Sequence, residues 1–117
     1  MRYLMIYRGP ETDAPPSEEE QSAMGEFMGE MIANGWLLAA DGLRSSAHGS
    51  RVRQSNGEVK VIDGQFSEAK EIVGGFAIVD VSSKEIAIDL AAKFLKVAGD
   101  GESEVRLMHD VPAYPPA

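Results

Sequence analysis

Acids, a lysine, paired glycines and aromatics crowd into one stretch, Asp63-Gly64-Gln65-Phe66-Ser67-Glu68-Ala69-Lys70-Glu71-Ile72-Val73-Gly74-Gly75-Phe76. An acid beside a lysine can act as a proton-transfer pair when burial and neighbouring charge shift their pKa values. On that reading Asp63 is the general base, Lys70 and Glu71 are further polar groups of a pocket, and Phe66 and Phe76 are its walls. Gly64 and Gly75 are further ligand-binding candidates, and Gly74-Gly75 would let a ligand approach the backbone closely. A base of this kind needs a substrate proton within about 3 Å of its carboxylate. The same residues also have a purely structural reading. Asp accepts local backbone hydrogen bonds and Gly takes positive φ, so Asp63-Gly64 can be a turn and nothing more. Lys70 and Glu71 can form surface ion pairs of little energetic weight. Gly74-Gly75 can be a bend on entering a strand.

Other chemistry is less well supported. Ser67-Glu68-Ala69-Lys70 has the serine-to-lysine spacing that lets an amine act as base for a hydroxyl on a helix. The acyl-enzyme families that use it need further motifs and a larger chain, so capping or solvent exposure explains Ser67 better. His48 and His109 have no ligand-type spacing, and cysteine is absent, so no metal site is expected. No glycine-rich run leads into a Lys-Ser or Lys-Thr pair, so no phosphate loop or other cofactor motif is expected. Tyr7 and Trp36 combine apolar bodies with polar handles and are the aromatics expected near a pocket mouth.

The elements that must position these residues follow from pattern. Residues 2–7 alternate, with Tyr3, Met5 and Tyr7 on one face and Arg2, Leu4 and Ile6 on the other. Both faces are mostly apolar, which predicts an interior strand covered on both sides. Pro10, Pro15 and Pro16 mark a loop. Ser17 and Glu20 then form a capping box, with Glu18, Glu19 and Glu20 in the first turn. Met24, Phe27, Met28, Met31 and Ile32 repeat at helical spacing. Asn34-Gly35 should end that helix. Gly25 and Gly29 inside it are read as tolerated, although their spacing would also permit close packing.

A strand is expected over Trp36–Ala40. A polar connection follows over residues 43–50. Arg51–Ile62 then reads as a hairpin about Asn56-Gly57, the preferred pair for a type I′ turn. That turn sets Val52 opposite Val61, Gln54 opposite Val59, and Arg53 opposite Lys60, which predicts one buried and one solvated face. Gly75–Val81 is a strongly apolar strand. Ser82 and Glu85 suggest a second capping box, opening a helix that buries Ile86, Ala87, Leu90, Ala91, Phe94 and Leu95. Glu104–Met108 is a last strand with Val105 and Leu107 inward. Residues 109–117 form a proline-rich tail.

The order β-α-β-(hairpin)-β-α-β is the ferredoxin-like, split βαβ pattern of an α+β domain. Its helices cover only one face of the sheet, so the other needs a cover, and a second copy packed sheet to sheet supplies one. With 117 residues, one domain over 1–117 is expected, its core at 2–108. The net charge of -8, with 11 basic and 19 acidic residues, disfavours nucleic acid as a partner. No apolar run approaches the roughly 20 residues needed to span a bilayer. The apolar start is too short for a signal peptide, and the expectation is a cytoplasmic protein.

Asp63-Gly64-Gln65-Phe66, followed by Glu68, Lys70-Glu71 and Gly74-Gly75-Phe76, resembles the YCII-related family, and within it the subgroup named for an Asp-Gly-Pro-Phe motif. Arg2-Tyr3-Leu4-Met5-Ile6-Tyr7 and Asp41-Gly42-Leu43 resemble it too. The resemblance implies a dimeric α/β-barrel fold but no settled reaction. Some members resemble proteins associated with extracytoplasmic-function sigma factors. Gln65 departs from the motif proline, restoring a backbone N–H and adding an amide. The better-known members are suspected of using a His-Asp pair, and neither His48 nor His109 matches a motif position. Two functions therefore stand side by side: a small-molecule enzyme with its pocket at the motif, and a non-catalytic ligand-binding or regulatory dimer.

Overall fold

The structure, a computed structural model, describes residues 1–64 and 72–110. Its strands are β1 (Arg2–Gly9), β2 (Leu37–Gly42), β3 (Ser50–Ser55), β4 (Glu58–Asp63), β5 (Ile72–Asp80) and β6 (Glu102–Leu107). Its helices are α1 (Glu18–Ala33) and α2 (Lys84–Ala98), with one 3-10 turn at Ser46–His48. Four strands form an antiparallel sheet in the order β2-β5-β1-β6, and β3 and β4 form a separate two-stranded ribbon. This is an α+β domain whose strand order is compatible with the ferredoxin-like pattern.

Local chemistry sets the helix ends. The Ser17 hydroxyl oxygen accepts from the Glu20 backbone N–H at 3.1 Å, satisfying one amide that the first turn leaves unpaired. At the other end Gly35 takes φ of 72°, its N–H reaches the Ile32 carbonyl, and the Trp36 N–H reaches that of Met31. That pair of bonds closes the helix in the Schellman arrangement. The second helix begins one residue later than Ser82 and Glu85 suggested. Ser83 is the cap, in extended backbone, and its hydroxyl oxygen accepts from Ile86 N–H at 3.3 Å. Either serine can cap. A cap at Ser83 puts Ile86 where a reciprocal Glu would stand, so the box is lost.

The core lies between the sheet and both helices. Tyr3 pairs with Val79 and Met5 with Ala77 across β1 and β5, and these four pack against Phe27, Met31, Ala87, Leu90 and Ala91. Burying each large apolar side chain there contributes about 1.5–3 kcal/mol. Alternation puts Leu4, Ile6, Phe76 and Ile78 on the sheet's far face. Leu4, Ile6 and Ile78 are half-buried and Phe76 is 36% exposed, so this face is an apolar patch rather than a second core.

Three expectations about burial change. The hairpin register is as expected, and Asn56 and Gly57 both have positive φ, as a type I′ turn requires. Its apolar face is nevertheless open within one chain: Val52, Val59 and Val61 are 69%, 59% and 62% exposed. The ribbon extends no strand of the main sheet, so it meets no core. Leu107 is exposed rather than inward, because β6 is an edge strand. Ile32, one step round the helix from Met28 and Met31, is exposed as well.

Candidate functional site

A cleft of about 420 Å³, lined mostly by apolar side chains, lies between the sheet and the helices. Met5 and Tyr7 of β1, Leu37 of β2 and Ala77 of β5 form its sheet side. Met24 and Met28 of α1 and Phe94 of α2 form its helix side. The Tyr7 and Phe94 rings meet edge to face with centroids 5.4 Å apart. That contact fixes the ring, and the Tyr7 hydroxyl donates to the Asp100 carbonyl at 2.9 Å. Ser103, paired with Tyr7 across β1 and β6, brings a hydroxyl to the lining. Asp41, which pairs with Phe76, borders the cleft from β2, and its carboxylate accepts from the Gly42 N–H at 2.9 Å. The arrangement suits a mostly apolar organic molecule with a few polar contacts at one end.

The residues singled out from sequence fall in three places. Tyr7, Gly75 and Phe76 all border the cleft, Phe76 through its place on β5, since alternation turns its side chain to the sheet's far face. Gly75 serves a strand contact there: a Cβ on it would stand 2.9 Å from the Asp41 carbonyl oxygen of β2. Trp36 packs against the core without being among the cleft's lining residues. Asp63 and Gly64 lie elsewhere, at the base of the hairpin. Asp63 pairs with Ser50, accepts its hydroxyl proton in a hydrogen bond, and is exposed. Gly64 has φ of 88°, and its N–H reaches the Gly49 carbonyl at 3.2 Å. Phe66, Lys70 and Glu71, with Gln65 and Ser67, lie outside the described residues, as do residues 111–117 of the tail.

Sequence reasoning missed Asp41 and Ser103, and took Met24, Met28 and Phe94 for plain core. A signal was present in Met24 and Met28, two flexible thioethers on one helical face, a composition suited to adaptable surfaces. Sequence also left His48 without a partner. Its Nε2 lies 3.3 Å from Asp13 Oδ2. Asp13 accepts from the Ser45 hydroxyl and N–H as well, and these bonds, Ser45's foremost, hold its carboxyl below the usual aspartate range. Glu104 is likewise held below the usual glutamate range, first by Arg106 at 2.9 Å and then by Arg8 at 2.7 Å. Among the described residues there is no cluster of three or more His, Cys, Asp or Glu that could hold a metal ion. No helix among them is long and apolar enough to cross a membrane.

The fold and cleft define a small α+β domain with an apolar cleft between its layers. Residues 1–109 match the family model of the YCII-related domain, and the chain belongs to that family. No curated protein shows significant similarity to it.

Proposed function

We propose that this YCII-related protein binds a small, largely apolar organic molecule in the cleft between its sheet and helices, and that it does so as a homodimer of the dimeric α/β-barrel kind. The cleft itself carries the reading: its volume of about 420 Å³ lies within the range of small-molecule sites, and its lining is apolar apart from Tyr7, Asp41 and Ser103. Binding without turnover is the favoured form, because Asp63 is exposed, held by Ser50, and not among the cleft's lining residues. The motif at Asp63-Gly64-Gln65-Phe66 supports placing the chain in the Asp-Gly-Pro-Phe subgroup, with Phe66, Lys70 and Glu71 as further ligand contacts. The dimer is supported by the apolar patch of Leu4, Ile6, Phe76 and Ile78 on the sheet's far face.

A thermal-shift screen of the purified protein against a metabolite library tests the binding reading, with Met28→Trp and Asp63→Asn in parallel. A ligand at 100 times its Kd adds about 2.7 kcal/mol. A hit that stabilises wild type and Asp63→Asn but not Met28→Trp supports the cleft. A hit lost in Asp63→Asn but kept in Met28→Trp would move the site to the motif. A monomeric mass by light scattering at micromolar concentration would contradict the dimer.

A further inference from the structure

A second cavity opens at the end of the sheet where β1 finishes, β2 has just ended and β5 begins. Its volume is about 530 Å³, and it shares no lining residue with the apolar cleft. We propose that it binds a small anion, the carboxylate or phosphate group of a metabolite, between Arg8, Arg44 and Arg51. The three arginines are the argument's first support. They line one cavity in a chain whose net charge is -8, and no Asp or Glu is among the described residues lining it. Clustering cations against the prevailing charge gives an anion a local well in a field that elsewhere repels it.

The second support is donor capacity. Arg44 makes no hydrogen bond or ion pair with the other described residues. Arg8 directs Nη1 to Glu104, but a guanidinium carries five N–H donors, so donors remain. Arg51, half-buried on the lining, adds charge where water screens it less. A planar fork of donors suits the paired oxygens of carboxylate and phosphate alike.

The third support is rigidity. Ser45, Ser46 and His48 form one wall, and two carboxylates clamp that wall to the loop after β1. Asp13 takes the Ser45 N–H and hydroxyl and faces His48, while Glu11 takes the Ser46 N–H and hydroxyl. Across the opening, Ser50 is tied to Asp63. Glu11 and Asp13 are thus engaged with the wall and Glu104 with Arg8, and Arg44 stands beside a fixed frame.

The test is an NMR titration of the full chain with sodium phosphate and, separately, sodium acetate, at constant ionic strength. Arg44→Gln and Arg53→Gln are run alongside, the latter removing an exposed charge on the hairpin outside the cavity. The expected result is saturable shifts of the amides of residues 44–51 with at least one anion. Affinity should fall at least tenfold in Arg44→Gln and change less than twofold in Arg53→Gln. Arg44→Lys, which keeps the charge without the fork, should lie between. Tighter binding of phosphate or of acetate identifies the group recognised, and equal binding assigns recognition to charge. Absence of saturable shifts with both anions, or equal weakening in Arg44→Gln and Arg53→Gln, would overturn the proposal. Its outcome is independent of the apolar cleft, whose residues take no part.

Discussion

Gly75→Ala probes the geometry of the cleft's sheet wall. Gly75 pairs with Tyr7 on one side and Gly42 on the other, in the middle of three strands. A methyl group there would meet the Asp41 carbonyl oxygen at 2.9 Å and the Gly42 Cα at 3.5 Å. Both are backbone atoms of β2, so neither can swing aside as a side chain would. Overpacking of this kind costs about 1–3 kcal/mol. Alanine regains roughly 0.5–1 kcal/mol of the entropy that glycine loses in a strand. The net expectation is destabilisation by about 0.5–2 kcal/mol. With an unfolding entropy of about 2.1 cal/mol/K per residue, this lowers Tm by roughly 2–8 °C. Reversible thermal unfolding followed by circular dichroism or calorimetry measures it directly. A Tm equal to or above wild type would show that β2 and β5 do not approach this closely, and the reasoning about the wall would fail.

Two further outcomes follow from the same structure. Gly25→Ala should stabilise by about 0.5–1 kcal/mol, because a Cβ there meets nothing within 4 Å and alanine is the better helix former; denaturant unfolding checks it, and a loss of stability would point to a neighbour packed on that face. Asp13 should titrate below the usual aspartate range in carboxyl-detected NMR, with Ser45→Ala moving it upward. The sign is that of a depressed carboxylate: its contribution to folding is complete above the unfolded pKa and is lost as pH falls through the folded one. An unchanged midpoint in Ser45→Ala would refute the assignment of cause.

What was legible in the sequence was local. Ser17 and Asn34-Gly35 bound α1 through bonds spanning a few residues, and Asn56-Gly57 sets the register of the whole hairpin. The strand order follows from the alternation of elements. What was not legible depends on neighbours distant in the chain. Whether Val52, Val59 and Val61 are covered depends on where the hairpin projects, and alternation along a strand carries no such information. Ser82 and Ser83 are equivalent by type, and only the packing of α2 selects the second. The cleft draws Met5, Met24, Leu37, Phe94 and Ser103 from five separate elements, and no spacing rule connects them. The pairing of His48 with Asp13 depends likewise on a loop folding back. Asp63 was prominent because its neighbours carry chemistry, yet in the fold it closes a hairpin with Ser50.

The methionines report on occupancy of the cleft. Met5, Met24 and Met28 line the cleft, whereas Met31 is buried in the core and is not among its lining residues. With methionine methyls labelled, the protein would be titrated with a library of small apolar carboxamides, alcohols and aromatics, and the methyl shifts followed by NMR. Ligand binding in the cleft predicts saturable shifts of Met5, Met24 and Met28 with some of these compounds, larger than that of Met31, and their loss in Met28→Trp. Shifts confined to other parts of the molecule, or no saturable shift across the library, would contradict it.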